Sequence, residues 1–150
     1  MVARRSGPVR LAVLGLGATL VLMVGCSSNK ATRQVEQNAK LWGQASCSIV
    51  EASSANDQQN AYGQTKQYSA TAVQQVSSMQ QGASQIDALN SKVNADKTAH
   101  NVTSYVPDLK AIQSAASGLA GGSSGDEQAG WNSLSGAVSD CVAQLPPNLQ

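Results

Sequence analysis

The chain has 150 residues, enough for a single core, and only 13% of them are charged: ten Lys or Arg stand against nine Asp or Glu, a net charge of +1. That balance excludes the basic footprint of a nucleic-acid-binding protein and any polybasic attraction to anionic lipid. With 41% hydrophobic residues but no Phe and few aromatics, the core has to be built largely from small and aliphatic side chains.

Arg4, Arg5 and Arg10 make a basic start, and Leu11 to Val24 is an uncharged apolar run, the pattern of an export signal. The run is about 14 residues, where a spanning helix needs about 20, so an uncleaved anchor is the weaker reading. Ser6, Gly7 and Pro8 follow the arginine pair where twin-arginine signals turn hydrophobic, which favours the general secretory route.

The run ends in Leu22-Met23-Val24-Gly25-Cys26, and Ser27-Ser28-Asn29-Lys30 follows at once. This resembles a lipobox, the processing site of bacterial lipoproteins, with Met23 in a place more often held by Leu. The resemblance implies that residues 1–25 are a cleaved signal peptide and that Cys26 becomes the mature N-terminus, its thiol carrying a diacylglyceryl group. In many bacteria its amine is acylated as well. At about 0.8 kcal/mol per buried methylene, two or three chains hold a protein on the membrane almost irreversibly. It further implies a place on the extracytoplasmic face of the cell membrane, or on the outer membrane in a Gram-negative source. Losing three arginines leaves seven basic residues against nine acidic, a charge of −2. Residues 26–31 then form a lipidated tether, whose last five residues reach at most about 18 Å when extended.

From Thr32 the chain reads as helices. Apolar residues recur at intervals of three and four, Ala is common, and no strand pattern stands out. Thr32 to Ser54 carries the stripe Val35, Ala39, Trp42, Ala45, Ile49 and Ala52, and Asn56-Asp57 offers an N-cap for the next helix. One longer segment then runs to about Ala95, with seams at Tyr62, Ser69, Val76, Ala83 and Asn90 and at Ala72, Met79, Ile86 and Val93. Gly63 and Gly82 weaken it by roughly 1 kcal/mol each. Lys97 to Asn101 is a polar hinge, and Pro107-Asp108 suits the first turn of a third helix bearing Leu109, Ile112, Ala116 and Leu119. Gly121 to Gly125 makes a loop. Asp126-Glu127 opens a fourth helix, with Trp131, Leu134, Val138, Cys141 and Leu145 on its stripe, stopped by Pro146-Pro147. The expectation is an all-α fold over residues 32–150: a small antiparallel bundle of about four helices, or a long hairpin with a shorter pair packed on it.

Once Cys26 is lipidated, Cys47 and Cys141 form an even pair in an exported chain, which reads as a disulfide pinning the first helix to the last, with two buried free thiols as the other reading. Antiparallel pairing around that bridge would put Trp42 near Leu145 and Pro146, and Trp131 near Ala55 and Asn56. Nothing predicts a metal or cofactor: there is no Cys-x-x-Cys, and His100 is the only histidine.

Catalysis is equally unsupported. Gly121-Gly122-Ser123-Ser124-Gly125 has the G-x-S-x-G form, but that motif needs a preceding strand and a histidine downstream. Ser27-Ser28-Asn29-Lys30 has the S-x-x-K form inside the tether, in a chain too short for the penicillin-recognising fold. Asp96 and His100 read as a solvated helix end, and Asn101-Val102-Thr103 is a glycosylation sequon in form only. Gln58-Gln59, Gln74-Gln75 and Gln80-Gln81 make the exteriors hydrophilic yet nearly uncharged, suited to protein or glycan contacts or simply to solvent.

Cys26-Ser27-Ser28-Asn29-Lys30 and the stretch from Ser84 to Asn94 also resemble pieces of the murein lipoprotein of enteric bacteria, a lipid-anchored helical trimer. The lysine that ends that family and joins peptidoglycan is missing, since this chain ends Pro146-Pro147-Asn148-Leu149-Gln150. The functional expectation is a non-enzymatic envelope lipoprotein that binds or organises a protein or glycan partner. The alternatives are a carrier of a lipid or small apolar ligand, and a small lipoprotein of the phage-excluding kind.

Overall fold

The computed structural model describes residues 19–95, 102–145 and 147, and the side chains of 30–95, 105–145 and 147. The arginine-rich start, Asp96, His100 and the 97–101 hinge lie outside them. Five helices follow in order: α1 (Thr19–Glu51), α2 (Ala55–Gln75), α3 (Gln80–Ala95), α4 (Val102–Gly121) and α5 (Gly125–Gln144). A single 3-10 turn, Ser77–Met79, separates α2 from α3. Among the described residues there is no strand.

The expected stripes become the core. Val35, Ala39, Trp42, Ala45 and Ile49 of α1 are buried, as are Leu109, Ile112 and Ala116 of α4 and Trp131, Leu134, Val138, Cys141 and Leu145 on and just beyond α5. The break after α1 falls at residues 52–54, where the seven-residue register of Val35, Trp42 and Ile49 gives way to one shifted by one residue at Tyr62, Ser69 and Val76. Ser54, rather than Asn56-Asp57, caps α2: its Oγ accepts from the Asp57 backbone N–H at 3.1 Å and donates to Asp57 Oδ2 at 2.6 Å. α4 begins five residues before Pro107, which therefore lies inside the helix rather than in its first turn.

The longer segment that runs to about Ala95 is a hairpin rather than one continuous helix. Val76 adopts an extended conformation (φ −136°, ψ 91°), and the chain reverses through Ser77–Met79. Gln58 Nε2 near the start of α2 donates to the Val93 carbonyl near the end of α3 at 3.2 Å, so the two run antiparallel. Contacts between Asn38 and Gln75, Lys92 and Asp108, and Gln128 and Ala120 give the same sense for the α1–α2, α3–α4 and α4–α5 pairs.

Four successive reversals leave the first and fifth helices pointing the same way. Thr32 Oγ1 donates to Asp126 Oδ1 at 2.6 Å near one end of the pair, and Cys47 is bonded to Cys141 near the other. The expected antiparallel pairing of these two helices is therefore corrected to a parallel one, and the tryptophan positions change with it. Instead of lying at opposite ends, Trp42 and Trp131 pack against each other, with ring centroids 5.7 Å apart and planes tilted by 51°.

The α1–α5 seam is close because Gly43 has no side chain. A Cβ there would lie 2.8 Å from both Ala137 Cβ and the Leu134 carbonyl oxygen, and a backbone oxygen cannot rotate away. Gly82 similarly makes room for the Trp131 ring and Leu119. Gly63 has nothing within 4 Å of such a Cβ. Gly43→Ala is therefore expected to destabilise the fold by about 1–3 kcal/mol through overpacking, while Gly63→Ala stabilises it by about 0.5–1 kcal/mol through helix propensity. Paired urea titrations check the opposite signs; equal shifts in the same direction would contradict the close seam.

Candidate functional site

Three places bear on function: the Cys26 end of α1, the disulfide at the other end of the α1–α5 seam, and the polar grooves between helices. Cys26 falls within the backbone span of α1, and its side chain is outside those described. The helix is continuous through residues 27–31, the stretch read from sequence as a tether. Thr32 already touches α5 through Asp126, so the bundle begins within two turns of Cys26. No helix among the described residues is long and apolar enough to cross a membrane.

Cys47 and Cys141 are disulfide-bonded, with Cα atoms 6.3 Å apart, the pairing expected from the cysteine count. Both residues are buried, and a groove of about 310 Å³ opens over them, lined also by Lys40, Gln44, Glu51 and Asp140. Glu51 follows Cys47 by one helical turn, which places its exposed carboxylate on the same face. Sequence spacing shows that neighbour, but only the folded chain brings Cys141 to both.

At the opposite end, a groove of about 480 Å³ lies between α3 and α4, with Ser78, Gln81, Gln85, Ser114 and Glu127 among its walls. Glu127 is its charged group. Its carboxylate accepts from Ser78 Oγ at 2.5 Å and from Trp131 Nε1 at 3.3 Å. The hydrogen bond from Ser78 leads in holding the Glu127 carboxyl below the usual value of 4.5, against the opposing effect of burial. A depressed carboxylate adds stability above its unfolded pKa that is lost as pH falls through the folded one, so these bonds loosen in acid below about pH 4.5.

A third groove, about 390 Å³, separates α2 from α3 and is lined by Lys66, Ser69, Val73, Ala83 and Asp87 among others. On the same pair of helices Asn90 is buried with both amide atoms unpartnered among the described residues. Trp42, Trp131, Met79 and Ile86 are fully enclosed in the interior.

The G-x-S-x-G stretch is the turn between α4 and α5. Ser123 Oγ donates to the Leu119 carbonyl at 2.7 Å, satisfying the end of α4. A helix precedes it where the nucleophile elbow needs a strand. Comparison of the chain with protein-family models, with characterised proteins and with solved structures gave no match.

Proposed function

We propose that the protein is a membrane-anchored bacterial envelope lipoprotein, held by acyl chains on Cys26, whose helical domain serves a non-catalytic binding or structural role. The observation that carries this is the basic start, apolar run and Leu22–Cys26 lipobox, followed at once by polar residues. The anchoring reading also gives the bundle an orientation. Six helical residues from Cys26 to Thr32 span about 9 Å, so the Ser77–Met79 turn and the α4–α5 loop would lie near the bilayer. The disulfide end would face away, toward an envelope protein or glycan. A core filled by two tryptophans supports a binding module over a carrier of lipid or another apolar ligand.

Intact mass of the protein taken from its native membrane, before and after reduction and beside a Cys26→Ala variant, tests the reading. The expected result is loss of residues 1–25, acyl mass on Cys26 that the variant lacks, and a gain of about two daltons on reduction as each sulfur takes up a hydrogen. Retention of the N-terminal segment without acyl mass would overturn the anchor. A co-purifying lipid bound to the domain itself would favour the carrier.

A further inference from the structure

We infer that the cross-linked end of the α1–α5 seam is also a metal site: when the disulfide is reduced, Cys47, Cys141 and Glu51 bind one zinc-like divalent cation. The ligand atoms of these three residues lie within 4.8 Å of one another, although nothing in the sequence spacing alone predicts a metal. In a tetrahedral zinc site, bonds of about 2.3 Å to sulfur and 2.0 Å to oxygen put neighbouring donors roughly 3.5–3.8 Å apart. Opening the disulfide brings the sulfurs to that spacing by side-chain rotation, without separating two helices already locked by the Gly43 contact.

Two thiolates and one carboxylate make a donor set of intermediate softness, which suits Zn²⁺ over Mg²⁺ or Ca²⁺. The Glu51 side chain is exposed and its carboxylate has no hydrogen bond or ion pair among the described residues, so it turns inward without breaking another contact. The groove over the sulfurs leaves the fourth position to water, the arrangement of an open zinc site.

The chemistry balances with an external dithiol as reductant. Its thiolate attacks one Sγ, forms a mixed disulfide and releases the other sulfur; its second thiol closes the dithiol's own disulfide, leaving two reduced cysteines. The cation then displaces their two protons, so metal uptake is accompanied by acid release.

The test uses the full chain carrying Cys26→Ser, so that Cys47 and Cys141 are the only thiols, reduced with a phosphine and freed of excess reagent without oxygen. Cobalt is expected to bind one per chain with thiolate-to-metal charge-transfer absorption, and the oxidised chain to show none. Zinc at a hundredfold excess over its Kd is expected to raise the melting temperature of the reduced chain by about 10 °C. Glu51→Gln is expected to weaken cobalt binding about tenfold or more while leaving the melting temperature of the disulfide form unchanged. Absence of the charge-transfer band, unchanged affinity in Glu51→Gln, or a reduced chain that unfolds and is not refolded by zinc would each overturn the site.

Discussion

Cys47→Ser/Cys141→Ser is expected to lower the unfolding free energy by roughly 4–5 kcal/mol. The bridge joins residues 94 apart in sequence, and in the chain-entropy model closing so long a loop removes that much freedom from the unfolded state. Domains of this size are stable by only about 5–15 kcal/mol, so about a quarter or more of the total is at stake. Urea unfolding measures it, with a second arm in reductant. Wild type under reductant should fall to the level of the double variant, and the variant should be indifferent to reductant. A loss below about 1 kcal/mol would show that the unfolded chain keeps these two segments together without the bridge.

Trp131→Ala is expected to cost about 3–5 kcal/mol, the range for deleting a fully buried indole. Trp131 is 0% exposed and stands where four helices meet: it packs on Trp42 of α1, fills the space over Gly82 of α3 beside Leu119 of α4, and belongs to α5. Its Nε1 also donates to Glu127, so the alanine variant should open the groove between α3 and α4 as well as the core. Combining it with Trp42→Ala separates the ring pair from the burial. The two losses should fall short of additivity by about 0.5–1.5 kcal/mol, the usual worth of a tilted aromatic pair. Strict additivity would mean that the rings merely share a neighbourhood.

The stripes spaced by three and four were legible because a buried helix face repeats at that interval, and they located Trp42, Ile49, Leu134 and Val138 in the core. A break near Ser53 to Asp57 was legible from the one-residue shift in heptad phase. The reversal at Val76 to Met79 was not. It contains neither Gly nor Pro, and Ala72, Met79, Ile86 and Val93 keep a seven-residue spacing straight across it, all four buried. A seam that faces the core in both arms of a hairpin looks the same as one on a continuous rod. That single unseen turn changed the parity of the bundle: with four helices the last runs against the first, with five it runs alongside. The cysteine pairing survived the change because it rests on count and compartment, whereas the tryptophan neighbours rested on direction and moved. The closeness of Glu51 to both sulfurs was legible only in half, since the i,i+4 relation to Cys47 lies in the sequence and the approach of Cys141 does not.

Parallel α1 and α5 have a mechanical consequence. If, as proposed, Cys26 is held in the membrane and a partner pulls on the far end, tension enters along the axis of α1, and the covalent bond to α5 sits near the loaded end of the seam. A load that enters through α5 would then pass straight through the bond into α1, sparing the roughly 22 Å of noncovalent packing between Thr32 and Cys47 from shear. Reduction would remove that route and put the seam itself under shear, where resistance to the pull is set by the rate of unfolding rather than by equilibrium stability.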